Sequence, residues 1–196
     1  IVGAQYKYIK DNVCQKRFLK NTDRSNSLWM TPIEGSKALF VTEDPLDAIA
    51  HSQLFPGARY AYFCTGGTST KAQREMIHSF SQKFKLPIIL GNDNDLAGQL
   101  ENFKLALHTA NIEYAINSKT QRVLLTVNGA EREWGKDEIV AALQAVMKQR
   151  PNIILSIPWA KDWNDDLRSS KKSISLRIAE NMARVQIETT KSEQRG

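Results

Sequence analysis

The chain is poor in cysteine. Cys14 and Cys64 stand fifty residues apart, with no Cys-x-x-Cys pair and no Cys/His cluster. This spacing indicates neither a zinc ribbon nor a disulfide framework, and both thiols read as small buried hydrophobes in a reducing cytoplasm. Histidine is scarce too: His51, His78 and His108 fall singly on three different predicted helices, without the spacing of metal ligands. Long hydrophobic runs are missing, the longest being only a few residues against the roughly 20 that a bilayer crossing needs. No N-terminal stretch combines a charged start, an apolar centre and a small-residue cleavage site, so no signal peptide is expected. Starting at Ile1 without a methionine, the sequence reads as a piece of something longer, cytoplasmic and without a membrane partner. Acids are outnumbered by bases, 21 to 27, for a net charge of +6. That balance favours polyanionic partners, nucleic acid among them.

What is present suffices for one core: 196 residues, 41% of them hydrophobic. From residue 37 onward, short β-forming apolar runs alternate with helical patterns, the signature of βαβ units and a mostly parallel sheet flanked by helices. "KALFVT" (37 to 42) is the first strand. Asp44 then caps, and Pro45 opens, a helix whose apolar positions are Leu46, Ile49, Ala50 and Leu54. "YAYFC" (60 to 64) follows, then the turn "TGGTST" and a helix over about 69 to 84, with Ala72, Met76, Phe80 and Phe84 at four-residue intervals. "PIIL" (87 to 90) is a third strand, before a helix burying Leu100, Phe103 and Leu107; "IEYAI" (112 to 116) is a fourth.

Residues 117 to 150 break this rhythm. Asn-Gly between "RVLLTV" and "EREW" predicts a hairpin, and 136 to 149 an amphipathic helix through Ile139, Leu143, Val146 and Met147. "NIILSIP" (152 to 158) returns as a buried strand, followed by "WAKDWNDDL" and a last helix near 172 to 188. The expected division is a small basic β-element over 1 to 36, a main α/β domain over 37 to 188 carrying the insertion, and a polar, disordered tail over 189 to 196.

Three acids fall at strand ends: Glu43 after the first strand, Asp93 and Asp95 after the third. In open α/β sheets, ligands bind beyond the carboxyl ends of the strands. Like charges that close repel unless a cation neutralises them. Mg²⁺, a hard ion preferring oxygen ligands and retaining waters for substrate phosphates, suits such a cluster, with Mn²⁺ able to substitute.

The stretches "VTEDPLDAIA", "GGTST" and "GNDNDLAG" together resemble the toprim domain, shared by bacterial-type DNA primases, type IA and type II topoisomerases and some nucleases. Glu43 and Asp47 are similar to the family's Glu and the Asp four residues on. Gly67 and Thr68 resemble its Gly-Thr turn, and Asp93, Asp95 and Gly98 its Asp-x-Asp-x-x-Gly motif. The resemblance implies a Rossmann-like toprim fold, metal binding by Asp93 and Asp95, and metal binding or acid/base work by Glu43, with Asp47 supporting.

"KDWNDDLR" (161 to 168) resembles the acidic element after the last toprim strand in primase-like members, implying that Asp162 completes the metal site with Lys161, Asn164 and Asp165 beside it. "KRFLK" resembles, more loosely, the basic β-region preceding toprim in plasmid and phage primases, implying nucleic-acid or nucleotide contacts by Lys16, Arg17 and Lys20. Gly66 and Gly67 let backbone approach a ligand. Gly67, Thr68 and Lys71 are candidate nucleic-acid or nucleotide contacts; Lys71 and Arg74 can reach a phosphate or face water, with water favoured for the pair.

The implied function is Mg²⁺-dependent nucleotidyl transfer of the DNA primase type, with single-stranded DNA as template, nucleoside triphosphates as substrate and a helicase or relaxase domain as the neighbour in a parent, mobile-element protein. Two alternatives stand beside it: a toprim domain supporting DNA cleavage or strand transfer in a relaxase- or topoisomerase-associated protein, and a non-catalytic nucleic-acid-binding module.

Overall fold

The structure is a computed structural model. It describes residues 5–10, 13–116, 122–127, 130–135, 138–148 and 150–170. The expected helix near 172 to 188 and the tail lie outside them.

The chain opens with an antiparallel hairpin, β1 (Gln5–Lys10) and β2 (Val13–Phe18). β3 (Trp29–Met30), still inside the first 36 residues, is an edge strand of the main sheet, antiparallel to β5. The α/β repeat then runs β4 (Ala38–Thr42), α1 (Pro45–Leu54), β5 (Tyr60–Cys64), α2 (Lys71–Phe84), β6 (Ile88–Leu90), α3 (Leu96–Thr109). An insertion follows, with β7 (Glu113–Ile116), β8 (Val123–Val127), β9 (Ala130–Trp134) and α4 (Ile139–Lys148), before β10 (Ile153–Leu155) and α5 (Trp163–Ser170). Among the described residues no helix is long and apolar enough to cross a membrane.

The five-stranded sheet has the order β10-β6-β4-β5-β3 and is parallel except at β3, so the fold is α/β and Rossmann-like. From β4 the chain steps one way to β5, then doubles back across β4 to β6 and on to β10. The reversal falls between β4 and β6, and in such sheets the crevice outside the carboxyl ends of the strands at that reversal is where ligands bind. "IEYAI" forms a strand, but β7 joins β8 and β9 in a separate antiparallel sheet, and the fourth parallel strand is β10. The predicted hairpin is the β8/β9 pair, in register from Val123↔Trp134 to Val127↔Ala130.

The sheet is covered on both faces, which is why its strands read as unbroken apolar runs. Leu39, Val41, Ala61, Phe63, Ile88, Leu90 and Ile153 point into one core with α2, α3 and α4. Their neighbours Ala38, Phe40, Tyr62, Cys64 and Ile89 point into a second with α1 and α5. The period of two is that of a pleated strand.

Two helices are turned differently from their apolar pattern. In α1, Leu46 and Ile49 are 44% and 45% exposed, whereas Asp47, Ala48, Ala50 and His51 are buried. α1 packs against α5 as well as the sheet, and polar groups fill that seam: His51 Nδ1 lies 2.9 Å from the Tyr62 hydroxyl, with its ring against Phe40 and Trp163. Burial holds the imidazole neutral, its pKa lowered to about 3. In α2 the inward positions are Gln73, Ile77 and Ser81, while Phe84 is exposed. Gln73 turns in because its amide has three carbonyls to satisfy there.

Candidate functional site

β4 delivers Glu43 to the carboxyl edge, and the ladder continues past the strand end: Thr65 N–H donates to Thr42 O (3.2 Å) and Gly66 N–H to Glu43 O (2.8 Å). Asp44 caps α1, its carboxylate accepting from Leu46 N–H at 2.9 Å, and Pro45 needs no donor in the first turn. One residue further into that turn, Asp47 is 5% exposed and accepts a 2.6 Å hydrogen bond from the Asn164 side-chain amide on α5.

The neighbouring strand β6 delivers the other acids. Gly91 N–H donates to Val41 O at 2.8 Å, and buried Asn92 donates from its backbone and its side-chain amide to Asn102 Oδ1 (3.3 and 2.9 Å). Asp95 caps α3 by accepting from Gly98 N–H at 2.9 Å. A Cβ at position 98 would overlap the backbone of Asp93. The Asp-x-Asp-x-x-Gly spacing therefore has a mechanical meaning: the first turn of α3 lies on the peptide that carries the first acid.

The segment after β10 closes the edge from the other side. Asn94 N–H donates to Lys161 O at 2.8 Å, and the Trp163 indole N–H donates to Gly91 O at 2.8 Å. These clasps bring Asp162 alongside. Its carboxylate caps α5 by accepting from Asp165 N–H (2.8 Å), and buried Asp166 accepts from the backbone of Trp159 and Ala160, holding the preceding loop (both 2.8 Å).

The acids act on one another. Burial first, and then the charges of Glu43, Asp162 and Asp95, raise the Asp93 pKa to about 6, against the opposing Lys161 ammonium. Asp47 is raised to about 7, first by burial and then by Asp93, Asp162 and Asp44, with the Asn164 hydrogen bond working the other way. Glu43, Asp47, Asp93, Asp95 and Asp162 thus share one patch of field at the strand reversal. Lys161 stands 4.0 Å from Asp95 with both side chains well exposed, a pairing of little energetic weight. Among the described residues no three His, Cys, Asp or Glu side chains stand together as a ready-made metal cage. The donor set is all oxygen and partly open, as suits an ion held by one or two carboxylates with waters completing its shell.

Other expected residues are placed around this edge. Gly66 and Gly67 have φ of 75° and 132°, backbone that favours glycine. Thr68 and Lys71 are exposed at the start of α2. Arg74 does not simply face water: its guanidinium is half-buried and donates to Ser69 O (2.7 Å) and Oγ (2.9 Å). Asp165 turns outward to Arg168 at 3.3 Å and is not among the charges felt by Asp93 or Asp47. The basic residues are on the hairpin and just after it: Lys16 pairs with Lys7 across the strands, the Arg17 guanidinium sits 5.6 Å from the Tyr8 ring centre, and Lys20 is exposed.

Several supports escape a reading of the sequence. Gln73, 1% exposed, donates to the carbonyls of Arg24, Ser27 and Thr65 and closes a capping box with Thr70. The Thr-x-x-Gln pattern at 70 to 73 is the signal that reveals such a box. Arg24, held by its backbone in this way, lays its guanidinium over Gly67, 2.7 Å from where a Cβ would stand, and over the Phe18 ring. Glu101 accepts from Ser69 N–H and Oγ–H (2.9 and 2.6 Å), tying α3 to the glycine turn. No local pattern marks Asn102, Glu101 or Asp166.

The fold and site define an α/β protein with an acidic crevice at its strand reversal. No protein-family model, no curated protein and no solved structure matches the chain.

Proposed function

We propose that this chain is a toprim-type, divalent-metal-dependent nucleotidyltransferase core of the DNA primase kind, extending ribonucleotide primers on single-stranded DNA. The supporting observation is the convergence of Glu43, Asp93, Asp95 and Asp162 from three chain segments onto the carboxyl edge of β4 and β6, where Asp93 feels the other three acids. Carboxylates under mutual repulsion are relieved by a cation. Asp93, Asp95 and Asp162 would hold Mg²⁺ or Mn²⁺, directly or through water. The ion, when bound, stabilises the charge that develops on phosphate oxygens during phosphoryl transfer. Glu43, just past the end of the adjacent strand, would accept the proton of a primer 3′-hydroxyl. Asp47 and Asn164 keep α1 and α5 in register behind the acids, and the basic hairpin supplies attraction for the template that the acidic edge itself cannot.

A strand-cleaving reading needs a tyrosine nucleophile near the acids. Tyr62 is engaged with His51, and Tyr60 begins β5 at the opposite end of the sheet from the acids. Incubation with ribonucleoside triphosphates, Mn²⁺ and single-stranded DNA should yield short labelled primers that Asp93→Asn and Glu43→Gln abolish. Nicking of DNA without nucleotide incorporation overturns the proposal in favour of cleavage.

A further inference from the structure

Away from the acids, a groove of about 560 Å³ opens between the β3 edge, the 31 to 36 loop and α1. Its wall is aromatic. Tyr60 stacks on Phe40 with centroids 5.8 Å apart and an interplanar angle of 16°, and Tyr62 is fixed by its hydrogen bond to His51, so the wall is rigid. At the rim stand Trp29, 42% exposed, and Arg59; among the described residues the indole has no ring contact and the guanidinium no ion pair. Ile49, exposed against the apolar pattern of α1, lines the same groove, and Glu34 is its one acid.

An exposed indole at one end of an aromatic wall and an unpaired guanidinium at the other form a stacking platform with a phosphate anchor, the chemistry by which proteins hold single-stranded nucleic acid. The volume falls within the range of small-ligand pockets, enough to seat a nucleotide unit. Placement adds direction. Trp29 pairs with Cys64 at the carboxyl end of β5, next to the glycine turn, whereas Tyr60 and Arg59 lie at the strand's other end. A strand in the groove therefore points at the acidic edge. The net charge of +6 favours a polyanion over an acidic peptide's few charges. We propose that this groove is a binding site for single-stranded nucleic acid, with a base stacked on Trp29 and a backbone phosphate met by Arg59. The direction assigned to the strand rests on the function proposed above; the binding itself does not.

The test is a titration of a labelled oligodeoxythymidine of about 12 nucleotides, within the site sizes of such grooves, in EDTA so that the metal site plays no part. Trp29→Ala should weaken binding about tenfold, the effect of losing one stacked base, with Trp29→Phe restoring most of it. Arg59→Ala should weaken it and lower the log-log salt slope by about one. Both residues are exposed, and thermal melts identify any variant that has lost its fold. Wild-type affinity in Trp29→Ala and Arg59→Ala overturns the proposal, as does displacement of the oligonucleotide by free mononucleotide at equal concentration. A missing metal-induced thermal shift in the wild type, with Trp29-dependent binding intact, counts against the catalytic reading alone.

Discussion

At the scale of single residues, the acids at the crevice are held under electrostatic load, and pH measures that load. Asp93 has a folded pKa near 6 against an ordinary 3.8, so its carboxyl destabilises the metal-free fold as pH rises from about 4 through 6. Below 3.8 both states carry the proton and the difference vanishes. Asp93→Asn should therefore melt higher than wild type at pH 8 without metal, and the gap should close toward pH 4. Differential scanning across pH checks this; a variant that melts well below wild type at pH 8 would make Asp93 structural. Asp47 has the same sign over a wider window, about 4 to 7. His51 has the opposite one, its neutral form favoured in the fold, with stability lost as pH falls from 6.5 toward 3. Protons compete with a cation for the same carboxylates, so Mg²⁺ should raise the melting temperature more at pH 8 than at pH 5. Gly98→Ala belongs at this scale too. Its methyl must displace the Asp93 peptide, and a cost of a few kcal/mol, about that of overpacking a core, together with loss of the Mg²⁺-induced shift, is expected in thermal melts.

At the scale of elements, what was legible in the sequence was local. The Asp44-Pro45 cap, the β-rich runs and the Asn-Gly hairpin each depend on a few adjacent residues, and each is where the pattern puts it. The rotation of α1 was not legible. Leu46 and Ile49 have helical spacing, but α5 and the polar seam of Asp47 and His51 decide which face turns in. Nor was the allegiance of β7, which pairs with the next strand, β8, while the place beside β6 goes to β10 from beyond the insertion. Glu43, Asp93 and Asp95 could be read because each follows closely on a parallel strand. Of their second tier, Gln73 is marked only by its local capping box, and Asn102 and Glu101 could not be read, because their contacts span 10 and 32 positions. The clasp between α1 and α5 makes a prediction of its own: Asn164→Ala removes the hydrogen bond that lowers the Asp47 pKa. Its carboxyl should titrate higher than in wild type by ¹³C NMR, with the fold retained.

At the scale of the molecule, charge is divided. An acidic crevice sits in a chain of net charge +6, with Lys16, Arg17 and Lys20 carried by the N-terminal hairpin and the turn after it. If that hairpin meets phosphates, Lys16→Ala combined with Arg17→Ala should weaken single-stranded DNA binding equally across sequences. It should also lower the salt slope by about two, leaving the Mg²⁺-induced thermal shift unchanged. An unaltered slope would place the strand over Lys71 or in the Trp29 groove alone.

The bond between Asp47 and Asn164 joins positions 117 apart, with the whole β7 to α4 insertion between them. A ribosome finishing α3 has already made Glu43, Asp93 and Asp95, yet β10, the Trp163 clasp and Asp162 do not exist. The growing chain thus carries its motif acids long before anything closes over them, and β6 waits as an open edge for its last parallel neighbour. Completion of the crevice waits on α5, the last of the described elements. A message broken before the codon for Lys161 would yield a product bearing all three motifs and no finished site.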